Sequence, residues 1–178
     1  MSDPYLSQKN AVMRLYNEYK KHPRLVIAVD FDDTCFDYHS GGEKHEKVLQ
    51  LLRDCKRHNF YLVVWTASDP SRFHEMRVFL SDRGIHIDSI NENPIPLPFG
   101  NHKKIYYNIL LDDRAGLSSA VDTLETLLFI IDNEKKEEYS EKQSSMNLKC
   151  NKVRQRENIE CPRSCMECGL GPCKEKYL

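Results

Sequence analysis

Two short, almost wholly apolar runs constrain this chain more than any other feature: Arg24–Val29 (RLVIAV) and Phe60–Trp65 (FYLVVW). Their length and β-branched content suit strands. Successive strand residues point to opposite faces, so a run that is apolar throughout must be covered on both sides. Between the two runs, Val48, Leu49, Leu52 and Cys55 recur at helical spacing, which predicts an amphipathic helix over Glu43–His58. A strand, a helix and a second strand buried on both faces form a crossover unit of a parallel sheet.

The alternation continues. Asp69 and Pro70 make an N-cap and a first-turn proline for a helix whose inner face is Phe73, Met76, Phe79 and Leu80, and Gly84 suits its end. A third strand is expected at Ile85–Ile90, a proline-rich loop at Asn91–Gly100 (NENPIPLPFG), and a fourth strand at Ile105–Leu111 (IYYNILL). Leu117–Ile131 is expected as a helix with Val121, Leu124, Leu127, Leu128 and Ile131 inward. Residues 5–21 read as a helix, with Leu6, Met13, Leu15, Tyr16 and Tyr19 as its stripe, ended by Pro23. The sequence thus divides into an N-terminal helical segment (1–23), an α/β catalytic domain (24–135), a charged linker or helical extension (136–160) and a Cys-rich tail (161–178).

Length and composition agree with this. A chain of 178 residues holds one domain and a small appendage, and 40% hydrophobic with 30% charged residues is the balance of a globular protein. The formal net charge of -1 gives no global field toward nucleic acid or a membrane, and leaves room for a local patch. No apolar run is long enough to span a bilayer. Met1–Lys21 has no signal-peptide apolar region, which points to the cytoplasm. An odd total of seven cysteines without such a signal argues against a secreted disulfide framework.

In a parallel sheet ligands bind beyond the carboxyl ends of the strands, and the reactive residues of this chain collect there. The first run ends in Asp30-Phe31-Asp32-Asp33-Thr34, the second in Thr66, and the fourth strand in Asp112-Asp113-Arg114, with Lys103 and Lys104 in the loop before it. Two carboxylates one residue apart past a strand can serve one pocket, one attacking phosphorus and the other moving the proton. An anion attacking an anion needs its charge neutralised. Mg²⁺ anchored by Asp112 and Asp113 would do this, helped by a lysine and a hydrogen bond from Thr66.

These segments resemble the haloacid dehalogenase (HAD) superfamily of phosphohydrolases: DFDDT its first motif, YLVVWT its second, the lysine its third and ILLDDR its fourth, in the right order over residues 24–131. The resemblance implies a Rossmann-like three-layer sandwich and a Mg²⁺-dependent phosphatase working through an aspartyl-phosphate. It implies that Asp30 is nucleophile and metal ligand, that Asp32 is acid–base and touches the metal through its carbonyl, that Thr66 binds the phosphoryl group and that Asp112 binds Mg²⁺. The motif lysine is Lys103 or Lys104, with Lys104, next to the strand, preferred. Residues 33–42 would be the family's turn and flap. The intervals that hold a cap domain in other members are short here, so the chain is similar to a capless member. An open site suits a macromolecular or bulky phosphorylated substrate, or a lid from a partner subunit in an oligomer. A nucleic-acid end or nucleotide phosphatase, a phosphotransferase and a non-catalytic interaction protein on the same fold are the alternatives.

Other residues read more plainly. Asp33 is a turn former, Cys35 a buried thiol, Trp65 and the tyrosines of IYYN core residues, and His39, His45 and His102 solvated histidines. Arg114 is as well suited to a surface salt bridge as to the site. In the tail, Cys161, Cys165, Cys168 and Cys173 offer four thiolates, which suits tetrahedral Zn²⁺ first, an iron–sulfur cluster second and metal-free thiols third.

Overall fold

The computed structural model describes residues 3–22, 24–94 and 104–157, with residues 146–157 described by backbone alone. Four strands are present among them: β1 (Val26–Val29), β2 (Tyr61–Val64), β3 (Ser89–Ile90) and β4 (Ile109–Leu111). They form one sheet in the order β3-β2-β1-β4, and every pairing is parallel. β1 lies inside it, with Val29 opposite Val64 on one side and Leu111 on the other. All four β1 residues are buried, as an apolar run covered on both faces requires. With helices α1 (Gln8–Lys21), α2 (Glu46–Arg57), α3 (Phe73–Ser81) and α4 (Leu117–Glu157), this is an α/β fold consistent with a Rossmann-like arrangement.

Local chemistry explains where the elements begin and end. Helix α2 starts at Glu46 rather than Glu43, because Gly42 (φ +82°) and His45 (φ +46°) turn the backbone out of a helical path just before it. Its inner face is Val48, Leu49, Leu51, Leu52 and Cys55, all buried. The Asp69 carboxylate accepts from the Ser71 N–H at 2.9 Å, and a 3₁₀ turn over Pro70–Arg72 leads into α3. Val121, Leu124, Leu127 and Leu128 of α4 are buried. That helix runs on past Ile131 to Glu157, since its Glu, Lys and Gln residues are strong helix formers. Two compact units divide the chain, Met1–Phe129 and Ile130–Leu178.

The third and fourth strands are shorter than the apolar runs predict, for one shared reason. The Asp88 side chain accepts from the Leu62 N–H at 2.7 Å, and the Asn108 side chain accepts from the Val26 N–H at 2.7 Å. Side chains thus take the place of main-chain acceptors at the amino end of each ladder, and main-chain pairing begins at these residues, whose N–H groups donate to the Leu62 and Val26 carbonyls at 2.8 Å. Ile105 leaves the sheet and packs in a small cluster with Val26 and Val63. Two residues expected in the core are not: Trp65 is 37% and Tyr106 40% exposed, one just past the last paired residue of β2, the other before β4 begins. Cys35 and Cys55 are buried free thiols. No helix among the described residues is long and apolar enough to cross a membrane.

Candidate acidic site at the strand ends

Strand order places the site. The chain builds β1, β2 and β3 outward in one direction, then returns to lay β4 on the other side of β1. The reversal opens a crevice between the carboxyl ends of β1 and β4. Asp30 follows β1 and Asp112-Asp113 follow β4. The Asp30 N–H donates to the Leu111 carbonyl at 2.8 Å, which carries the pairing one residue past β1. The two loops are tied again where the Asp113 N–H donates to the hydroxyl of fully buried Thr34 at 3.0 Å. As a result, one carboxylate oxygen from each of Asp30, Asp112 and Asp113 lies within 4.8 Å of the others, with Asp30 and Asp112 partly buried and Asp113 exposed.

Like charges this close disfavour ionisation. Burial foremost, then the charges of Asp112, Asp113 and Asp32, push the Asp30 carboxyl up to about 6 against the lowering effect of the Phe31 N–H. The turn that presents Asp30 is firmly built. Asp33 adopts φ +60°, the Cys35 and Phe36 N–H groups both donate to the Phe31 carbonyl at 2.9 Å, and Phe36 returns beside Asp32 as a single bridge. Phe31, Phe36 and Phe79 meet pairwise with centroids 5.2 to 5.6 Å apart, which fastens the turn to α3. Behind the site the Cys35 thiol donates to the Asp30 carbonyl at 3.4 Å, and burial raises its pKa, so it stays protonated. Asp33 accepts from the His39 N–H at 3.3 Å and its other oxygen meets His39 Nδ1, as a turn-forming acid does.

The Asp32 side chain faces a different partner. Arg72 grips it with two hydrogen bonds, Nη1 to Oδ2 at 2.8 Å and Nη2 to Oδ1 at 2.9 Å, and the Ser68 hydroxyl donates to Oδ2 at 2.8 Å. Nη1 also donates to Ser68 Oγ at 2.7 Å, and the guanidinium carbon lies 5.1 Å from the centroid of the Tyr38 ring. Burial pushes the Asp32 carboxyl up, but the hydrogen bonds from Arg72 and Ser68 and the guanidinium charge outweigh it and hold the pKa below the ordinary value.

Thr66, 9% exposed, sits at the end of β2 with its hydroxyl accepting from the Ser68 N–H at 3.1 Å. Asn91 holds it in place: its side chain accepts from the Thr66 N–H at 2.9 Å and donates to the Thr66 carbonyl at 2.7 Å. Lys104 is exposed in the stretch before β4, and no ion pair between it and these carboxylates occurs among the described residues. Arg114 stands 3.9 Å from Asp113 with an 84% exposed side chain, a surface pairing. Lys103, His102 and the four tail cysteines lie outside the described residues.

Sequence reasoning missed Arg72, Ser68, Asn91 and Thr34. For two of them a signal existed. Ser68 and Arg72 stand four apart around the Asp69-Pro70 cap, and both side chains reach Asp32 in the loop after β1. Chemically, three oxygen donors of like charge beyond the strand ends suit a hard divalent cation.

No family model matches the chain, and no curated protein matches it. One solved structure is similar, described as the structure of the conserved protein coded by locus from Bacteroides thetaiotaomicron; the match covers 51% of this chain and 77% of that one at 23% identity, with a TM-score of 0.44, and a likeness that loose carries no argument about activity.

Proposed function

We propose that the protein is a Mg²⁺-dependent phosphohydrolase of the HAD type, working through an aspartyl-phosphate on Asp30. The observation that carries this reading is the meeting of Asp30, Asp112 and Asp113 at the reversal of strand order. The donor set fits the ion: all three ligands are carboxylates, the choice of a hard cation that keeps several of its waters. Asp30, Asp112 and Asp113 would hold it. When bound, Mg²⁺ offsets the charge of these acids and of the phosphoryl oxygens.

In this reading an Asp30 oxygen attacks phosphorus, and the bond from phosphorus to the leaving oxygen breaks. Asp32 gives that oxygen a proton. Water then attacks the phosphorus, Asp32 takes the water's proton, inorganic phosphate departs and Asp30 is restored. Thr66 and Lys104, or Lys103, would contact the phosphoryl oxygens. Asp32 is ionised by its pairing with Arg72, which suits the second half of this cycle. The first half requires the pair to open.

The test is phosphate release from an aryl phosphate, nucleotides, sugar phosphates and 3′- or 5′-phosphorylated oligonucleotides. We expect release that depends on Mg²⁺, stops with chelator, and falls by on the order of a thousandfold or more in Asp30→Asn. Turnover that survives in Asp30→Asn would overturn the assignment of the nucleophile. No release from any substrate by the folded protein would overturn the hydrolase reading.

A further inference from the structure

Arg72 holds Asp32 with a guanidinium that other groups also touch: the Ser68 hydroxyl at 2.7 Å from Nη1, which itself donates to Asp32, the face of Tyr38 at 5.1 Å, and Glu75 at 4.0 Å from Nε. Tyr38 and Glu75 do not involve Asp32, and would keep the fork aimed when Asp32 moves away. The pair is also within reach of solvent, with the Arg72 and Asp32 side chains 25% and 22% exposed and Tyr38 53% exposed beside them.

Two considerations say what replaces Asp32. Opening a bidentate, partly enclosed ion pair is costly unless another oxyanion takes up the donors. The transferred phosphoryl group is engaged at Asp30, whereas Asp32, as the proton donor, marks the side of the leaving oxygen. Arg72 thus stands on the leaving-group side of phosphorus. The group that reaches it belongs to the part of the substrate that departs.

We propose that Arg72 is a specificity-determining residue, selecting phosphomonoesters whose leaving group carries its own oxyanion, a phosphate or a carboxylate, and freeing Asp32 as it binds that group. This rests on the phosphohydrolase reading for the meaning of the leaving-group side. Its test does not need turnover.

The test is calorimetric binding to full-length Asp30→Asn protein with Mg²⁺, using two matched pairs of probes. One pair is a nucleoside 3′-monophosphate and the corresponding 3′,5′-bisphosphate. The other is phenyl phosphate and 4-carboxyphenyl phosphate. The second anion is expected to tighten binding by about tenfold or more in at least one pair, the size of a charge-assisted contact, and the responding pair tells phosphate from carboxylate. Adding Arg72→Ala should bring the ratio within each pair close to one, and Arg72→Lys should keep part of it. A loss of fold would depress both members of a pair together, so the ratio is the quantity to read. Equal binding within both pairs, no binding of any probe, or a preference that survives Arg72→Ala would each overturn the proposal. A preference that depends on Arg72 in a protein without phosphatase activity would remove the hydrolase reading and leave Arg72 as an anion selector.

Discussion

Asp30 is destabilising in the metal-free protein, and that can be measured. Its carboxyl is raised from 3.8 to about 6 by burial and by the neighbouring acids, so the folded state binds its proton more tightly than the unfolded state does. Well below pH 3.8 both states are protonated and Asp30 contributes no penalty. The penalty grows as pH rises from about 4 to 6 and is complete above that. Asp30→Asn in the presence of chelator should therefore melt a few degrees higher than the wild type at pH 7.5, the shift expected for about 1–2 kcal/mol in a domain of this length. The difference should shrink steadily as pH falls from 6 toward 4. A lower melting temperature for the variant at pH 7.5 would show that the like-charge account is wrong. The acids themselves were legible in the sequence, because each follows an apolar run and such runs have few interpretations. Arg72 was marked only by its spacing from Ser68 around the Asp69-Pro70 cap, and its partner could not be read, because that depends on a 3₁₀ turn that folds it back toward Asp32.

The same contrast holds for whole elements. The two long apolar runs located β1 and β2 to within two residues, since burial on both faces leaves a continuous signal. β3 and β4 were read too long, because Asp88 and Asn108 use their side chains as ladder acceptors and no periodicity records that. Asn91 does the corresponding work at the other end of the sheet. It pairs with both backbone groups of Thr66 in a left-handed conformation (φ +52°) that asparagine tolerates well. Asn91→Ala leaves the Thr66 N–H and carbonyl without these partners, and should cost about 1–3 kcal/mol in urea denaturation. Asn91→Asp keeps an acceptor for the Thr66 N–H, and should recover part of that loss. Equal losses in the two variants would argue that the side chain serves packing rather than hydrogen bonding.

For the molecule as a whole, the proposed Mg²⁺ site carries an expectation of stability coupled to divalent metal. Binding to the folded state raises the melting temperature by mass action, and the ligands must give up their protons first. Because Asp30 loses its proton only near pH 6 in the metal-free protein, millimolar Mg²⁺ should raise the melting temperature more at pH 7.5 than at pH 5. Asp112→Asn should shrink the effect at both. A Mg²⁺ shift that is independent of pH and of Asp112 would place the ion elsewhere.

The crevice also has a history within each molecule. Its members come from neighbouring strands that are far apart in the chain, Asp30 after the first and Asp112 and Asp113 after the last. On the ribosome, β1 and its aspartate emerge early, and the strand that completes the cluster arrives only after β2 and β3 have been made. A nascent or truncated chain that ends before β4 carries Asp30 without the acids that crowd it. In the proposed phosphohydrolase reading, such a chain would lack two of the three carboxylates for the ion, and activity would wait for completion of the sheet.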